Sequence, residues 1–291
     1  MSWRDNIIHA TRHELPFAAE MELDWDLTTH WLEEFLRDEV RVRRGFERAV
    51  VGVSGGVDSS VTAYLAARAL GPDAVYGYRM PYESSSQASL DHAQLVADDL
   101  GIHLETHPIT NAVDGLLKHD EDEVPGHRVG NVCARMRMIV LFDQAFKLRA
   151  LPLGTGNKSE RMLGYFTWHG DDAPPINPLG DLYKTQVWGL ARHLGVPSDI
   201  VEKPATADLI RGQTDESDLG ITYVKADLIL HGLLSGYTPV QLADRGFSPE
   251  EIEVVRSRVD ATHWKRQLPT TAMLSDTAIG EYYLRPVDYV R

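Results

Sequence analysis

The chain has 291 residues with 43% hydrophobic and 25% charged content, enough for one large α/β domain with appendages and too mixed for a disordered or repetitive chain. Its formal net charge of -14 argues against a general nucleic-acid surface, because neutralising phosphates supplies most non-specific affinity there. Local binding of anionic nucleotides stays open. One cysteine, Cys133, excludes an internal disulfide, and the opening MSWRDNIIHATRHE has neither a long apolar core nor a signal-type cleavage site. A cytoplasmic protein without a membrane partner is expected.

In chain order, an N-terminal helical segment carries Trp25 and Trp31, which could pack outside a sheet or against a second subunit. Residues 49–53 form a short apolar, β-branched run bounded by turn residues, which predicts a buried parallel strand. Val57, Val61, Tyr64, Leu65 and Ala69 then recur at helical spacing. Between strand and helix lies SGGVDSS (54–60). A helix start presents unpaired amides and partial positive charge, glycines let a ligand approach the backbone, and Ser54, Ser59 and Ser60 add hydroxyls, so this turn can cradle phosphate. A plainer role for Asp58 or Ser59 is to cap the helix.

A strand near 74–80, a helix near 89–100 with Ala93, Val96, Ala97 and Leu100 on one face, and a strand near 102–109 continue a βαβ rhythm. His103 and His107, four residues apart in a strand, are separated by roughly 13 Å and cannot share one ion. His9 and His13 have no obvious carboxylate or cysteine partners. The acidic residues 118–126 read as a solvated loop. A long helix to about residue 148 follows, with Val132, Met136, Ile139, Val140 and Phe146 as its apolar face and Cys133 as an inert packed thiol. The apolar run ALPLG (150–154) predicts another strand, which leads into the polar turn GTGNKSE (154–160).

Glu160 sits near the start of the next helix. Favourable interaction with the helix dipole is worth only about 0.3–1 kcal/mol, whereas phosphoryl-type catalysis needs a barrier reduction on the order of 8 kcal/mol or more. Magnesium held by Asp58 and Glu160, with a lysine on a triphosphate, is a clamp strong enough to supply more. Both turns follow strands, and ligands of open parallel sheets gather at the carboxyl ends of strands. Farther on, Thr238-Pro239 and Ser248-Pro249 each put a capping hydroxyl before a helix-starting proline, with Glu251 completing a capping box, so the C-terminal third is mostly helical.

SGGVDSS resembles the pyrophosphate loop of the N-type ATP pyrophosphatases, which implies that ATP is split between its α- and β-phosphates and AMP is transferred to an acceptor. GNVCARMRM (130–138), GTGNKSE (154–160), INPLGDLYKTQV (176–187), KPATADL (203–209), GQTDESDLGITY (212–223) and KRQLP (265–269) narrow the resemblance to the ammonia-dependent NAD synthetases, over roughly residues 45–270. The resemblance implies an open parallel sheet flanked by helices, adenine nucleotide alpha-hydrolase-like, with helical N- and C-terminal additions in a single domain. It implies ATP as co-substrate, Mg²⁺, deamido-NAD and ammonia as substrates, and a homodimer.

Carried onto this chain, the resemblance makes Gly52, Val53, Ser54, Gly55, Gly56, Val57, Asp58 and Ser59 the ATP phosphate loop. Asp58 and Glu160 become the magnesium ligands. Thr155, Lys184 and Thr206 become ATP contacts, with Arg79 and Gln87 on the adenosine side. Arg135, Trp168, Asp171, His263, Trp264 and Lys265 fall on the acceptor side, where Asp171 binds or deprotonates the incoming ammonium. Asp58, Lys184 and Asp171 are the catalytic candidates.

The chain departs from the family pattern at Trp168 and Pro175, where a basic and an acidic contact are missing, and at Trp264-Lys265-Arg266, where the family has His-Lys-Arg. Either Trp168 and Trp264 stack on nicotinate or adenine rings, or the pocket takes another carboxylate. A GMP synthetase-like amidating subunit and a non-catalytic nucleotide sensor stay open as alternatives. A fused glutaminase would add a few hundred residues and a nucleophilic cysteine, so free ammonia is the expected donor, and a separate glutaminase partner is compatible with that. Residues 80–87 and 205–217, rich in small polar side chains, are expected to be mobile until ligand binds.

Overall fold

The computed structural model describes residues 16–119, 124–206, 214–267 and 270–274. Strand β1 (Arg48–Gly52) is central because Ala49, Val50 and Val51 are fully buried, as an apolar run without alternation requires. Strands β2 (Val75–Arg79), β3 (His103–Thr106) and β4 (Ala150–Leu153) complete an all-parallel sheet of order β3-β2-β1-β4. Val51 stands opposite Gly77 on one side and Leu153 on the other. The chain steps outward from β1 to β2 to β3 and then returns to the far side of β1 as β4. The ends of β1 and β4 therefore flank the point where strand order reverses, where a crevice opens.

Helix α1 (Trp25–Arg37) is capped by Asp24, whose carboxylate accepts the Leu27 amide at 3.0 Å. Its two tryptophans part company. Trp25 packs on Gly189, where a Cβ would come within 2.5 Å of the indole, while Trp31 is 67% exposed. Helix α2 (Val57–Leu70) follows β1 and has twelve of its fourteen residues buried, so it is wrapped on all sides rather than on the one face its spacing predicts. Helix α3 (Gln87–Leu100) does bury one face, with Ala93, Val96 and Ala97 inward.

On the opposite face of the sheet, α4 (Thr110–Leu117) and α5 (Gly126–Leu148) cover a smaller core that includes Val50, Tyr78, Cys133, Leu141 and Ala145. The predicted apolar face of α5 is corrected here. Val132, Met136 and Val140 pack against this core, but Ile139 is 53% and Phe146 89% exposed. At 100° per residue, Ile139, Phe142 and Phe146 share a stripe turned away from the stripe that carries Cys133 and Leu141. Residues 120–123 of the acidic segment before α5 lie outside the described residues.

After β4 come α6 (Lys158–Leu163), α7 (Lys184–Leu194) and α8 (Ser198–Val201), followed by the helical C-terminal part: α9 (Asp215–Leu219), α10 (Tyr223–Leu234), α11 (Pro239–Ala243) and α12 (Pro249–Thr262). Thr238 and Ser248 each form the expected cap, the latter as a capping box with Glu251. Among the described residues no helix is long and apolar enough to cross a membrane.

Candidate active site

The turn after β1 is shaped by two glycines with different demands. Gly55 has φ +74°, and a Cβ there would lie 2.1 Å from the Ser89 carbonyl oxygen at the start of α3. Only glycine fits. Gly56 is the N-cap of α2 with an ordinary φ of -97°, and its Cβ would meet only Ser54 Oγ at 3.4 Å. Protein packing does not require glycine there, whereas close ligand approach would. Ser59 Oγ donates to the Gly56 carbonyl at 3.0 Å and accepts the Ser54 amide at 3.2 Å, which draws the turn tight. Ser60 is corrected: it is fully buried and its hydroxyl donates to Gly56 O at 2.8 Å, inside the protein.

The turn after β4 meets this one through Asn157. Its side-chain oxygen caps α6 by accepting the Glu160 amide at 2.9 Å, its own amide donates to Glu160 Oε2 at 3.2 Å, and its Nδ2 donates to Asp58 Oδ1 at 2.8 Å. One fully buried side chain thus joins the two acidic candidates across the switch point. Lys184, the first residue of α7, is 2% exposed, and its ammonium donates to Asp58 Oδ2 and, at 3.2 Å, to Glu160 Oε1. The Tyr223 ring lies below it, 5.4 Å from Nζ.

Asp215 adds a third carboxylate to this cluster. It is 5% exposed, takes the Tyr223 hydroxyl at 3.2 Å on Oδ2, and its buried Oδ1 has no hydrogen-bond partner. Burial works against the charge of Lys184, yet Asp58, Glu160 and Asp215 together hold its ammonium above the ordinary lysine range. Burial pushes the Glu160 carboxyl up to about 8 against the pull of Lys184, and raises Asp215 as well. Three acids around one cation make a site short of positive charge.

Asp58, Glu160, Lys184 and Asp215 line a cleft of ≈ 520 Å³. Of the sequence-predicted residues, Gly52, Val53, Ser54, Gly56, Val57, Asp58, Ser59, Arg79, Thr155, Glu160, Asp171, Lys184 and Thr206 line it. Arg79 is held by Thr106 Oγ1 at 2.5 Å and Leu90 O at 3.2 Å. Gly55 stands behind the turn. Gln87 is on the exposed start of α3, where its amide donates to Asp91 at 2.8 Å.

The acceptor-side candidates are arranged differently from expectation. Arg135 donates to the Trp168 carbonyl at 3.1 Å, and Arg137, not Arg135, lines the cleft. Two residues apart on a helix point about 200° apart, so α5 can turn only one of them inward. Trp168 and Trp264 pack edge to face on each other, with ring centroids 5.3 Å apart. Lys265 donates to the carbonyls of Gly164, at 2.7 Å, and Phe166, while Arg266 reaches Met162 O at 3.0 Å. Together they tie down the exit of α6. His263 is exposed and bonds Asp260 O at 2.8 Å.

Several cleft residues escaped the sequence reading, among them Asn131, Arg137, Lys203 and Asp215. Lys203 reaches Ser89 Oγ at 2.8 Å, beside Gly55. The helical phase of Arg137 and the Asn-x-x-Glu spacing of Asn157 were the available signals. Of the two segments expected to be mobile, residues 80–87 contain a turn closed by Ser85 N to Tyr82 O at 2.9 Å, and residues 207–213 of the other lie outside the described residues.

Asp171 opens onto the cleft and accepts the Thr167 amide at 2.7 Å. Its side chain is exposed at the cleft, so solvent screens much of the upward shift that partial loss of water gives its carboxyl. A folded value above the unfolded one means that the native state binds more protons between the two, so stability falls as pH rises from about 4 to about 6. Asp171→Asn keeps the oxygen for Thr167 and removes the ionisation. Its melting temperature is expected to exceed the wild type's by a small margin above pH 6, because the side chain is exposed and screened, with the gap closing below pH 4; a gap independent of pH would contradict this.

Comparison with known proteins gives the family. Residues 28–269 match the family model described as NAD synthase, and the chain belongs to that family. The NH(3)-dependent NAD(+) synthetase of Chlorobaculum parvum is 46% identical over 262 residues, 90% of this chain and 94% of that one. Such relatives are carbon–nitrogen ligases, and the chain is an enzyme of that class. The structure of the NH3-dependent NAD synthetase from Campylobacter jejuni, in complex with the nitrate ion, superposes with a TM-score of 0.74 at 29% identity, covering 86% of this chain and 100% of that one. An NMN synthetase from Francisella tularensis superposes with a TM-score of 0.76, also at 29% identity, over 88% and 100%.

Proposed function

We propose that this enzyme amidates deamido-NAD to NAD with ATP and free ammonia. An oxygen of the nicotinate carboxylate bonds to the α-phosphorus of ATP as the bond to pyrophosphate breaks. Ammonia then bonds to the activated carbonyl carbon, and AMP leaves with the former carboxylate oxygen. The observation that carries this reading is the Lys184 ammonium buried between Asp58, after β1, and Glu160, after β4, beside a glycine turn that opens a helix.

In this reading the amides and hydroxyls of residues 52–59 bind the phosphates, Thr155 and Thr206 border the nucleotide, and Arg79 lies on its adenosine side. Lys184 offsets charge that builds on the departing pyrophosphate. Asp171, exposed in the cleft and with its carboxyl shifted upward, takes a proton from ammonium.

The donor set suits magnesium: Asp58 and Glu160 offer hard oxygens, and the partnerless Asp215 Oδ1 marks a surplus of negative charge. Among the described residues no group of three or more His, Cys, Asp or Glu side chains could hold a metal ion by itself. Two carboxylates would therefore share the ion with phosphates and water, as magnesium usually allows. When bound, it would neutralise phosphate charge.

The test is to incubate purified protein with ATP, Mg²⁺, ammonium and deamido-NAD and to measure NAD and AMP. One-to-one formation is expected. ATP cleavage only with another carboxylic acid would keep the nucleotide half of the reading and overturn the acceptor half. Another carboxylate as acceptor is the second reading, suggested by the Trp168–Trp264 pair standing where the family pattern has basic residues, and the same assay with that acceptor decides between them. A cytoplasmic homodimer fits this function, and the exposed stripe of Ile139, Phe142 and Phe146 is a surface available to a second copy. Sedimentation at micromolar concentration showing only monomer would refute the dimer.

A further inference from the structure

We infer that Asp227 is a positioning residue that sets Glu160 and Lys184 against each other from behind the cleft; this deepens the reading above and rests on it. Asp227 lies in α10, outside the cleft lining, and is fully buried. Its Oδ1 accepts the Ser159 hydroxyl, while Oδ2 accepts the Thr185 amide at 2.9 Å and the Thr185 hydroxyl at 2.8 Å. Ser159 Oγ in turn accepts the Lys184 amide at 2.9 Å. The Lys184 and Thr185 amides are the first two of α7, which no carbonyl of that helix can satisfy. One carboxylate thus ties the first turn of α6 to the first turn of α7.

The residues it grips are covalent neighbours of the groups that matter. Ser159 precedes Glu160, and Thr185 follows Lys184. A change in these bonds therefore moves both the carboxylate and the ammonium, which stand 3.2 Å apart. A fully buried carboxylate is costly unless its hydrogen bonds are complete, and an apolar side chain would fill such a position more cheaply. Its bonds here go to two hydroxyls and to one amide at the start of α7, an arrangement that fixes direction as well as distance. Supporting groups of this kind typically change activity or metal affinity about 10- to 100-fold when removed.

The experiment compares wild type with Asp227→Ala, Asp227→Asn and Ser159→Ala. Mg·ATP affinity is read by titration calorimetry without acceptor, together with kcat, both KM values and melting temperature. Asp227→Ala is expected to lower kcat and weaken Mg·ATP binding about 10- to 100-fold, with acceptor KM held within about two-fold. Asp227→Asn, which retains an oxygen for the Thr185 amide, should recover most of the Mg·ATP affinity, and Ser159→Ala should fall between them.

A folded Asp227→Ala with wild-type kcat and Mg·ATP affinity would overturn the inference. So would losses shared equally by kcat and both KM values in step with melting temperature, which would make Asp227 structural only. If Asp227→Ala does not fold, unchanged Mg·ATP affinity in both other variants overturns it equally. A wild type that binds Mg·ATP but forms no NAD would refute the acceptor reading alone, and the calorimetry would still judge Asp227.

Discussion

Lys184→Met is expected to lower pyrophosphate release about a thousand-fold, at the upper end of the range for removing one stabilising donor from a pre-organised site. The physical reason lies in the charge count. The Lys184 ammonium is bonded to Asp58 and Glu160 and attracted by Asp215, so its loss removes a cation from the phosphate site and leaves three carboxylates facing one another. The already raised carboxyls of Glu160 and Asp215 would be raised further and would take up protons. A raised acid is favoured in the native state at low pH, so the variant should regain melting temperature as pH falls, more steeply than wild type. Single-turnover pyrophosphate release and melting curves across pH measure both effects. Asp58→Asn and Glu160→Gln, which remove charge with little change in volume, should each abolish Mg²⁺-dependent turnover in a folded protein. Near-normal release in any of the three would refute the phosphate clamp.

Gly55→Ala and Gly56→Ala are expected to fail in opposite ways although they are neighbours. At Gly55 an alanine would occupy a φ of +74° and press its Cβ against the Ser89 carbonyl at 2.1 Å, a backbone atom at the start of α3. The combined strain and displacement should cost about 3 kcal/mol or more of stability. At Gly56 the backbone is ordinary and the nearest contact is an acceptable 3.4 Å, so stability should change by less than about 1 kcal/mol. The added methyl would instead stand between the amides at the start of α2 and a phosphate. Its ATP dissociation constant should rise at least about ten-fold, equivalent to about 1.4 kcal/mol. Denaturant unfolding and calorimetry on both variants separate the two costs. A Gly56→Ala protein with wild-type affinity would show that phosphate does not approach this turn closely.

Local order of chemistry along the chain was enough to place the strand–turn–helix at SGGVDSS, the second turn at GTGNKSE and the C-terminal caps, because each depends on residues within one or two turns of each other. Phase and partner were harder to read. Ile139 and Phe146 are apolar but turned outward, since the long α5 offers stripes on every side and only packing selects one. Arg135 and Arg137 are alike in sequence, and the helix sends Arg137 to the cleft. Ser60 is a hydroxyl in the right motif whose donor is spent on Gly56.

By itself the sequence determined that a glycine turn opens a helix after a buried strand and that no internal disulfide staples the chain, because these follow from residue type and short spacing, while its resemblance to the NAD synthetases singled out Lys184 beside Asp58 and Glu160. Only the tertiary structure decided that Asn157 bridges Asp58 to Glu160, that the charge of Asp215 acts on the same ammonium, that Trp168 closes on Trp264, and that Asp227 joins two helix starts from 68 and 42 residues away. Those contacts arise where the sheet reverses its strand order and the C-terminal helices fold back over it, and hydrogen bonds between such distant segments leave no periodicity in the chain from which they could be read.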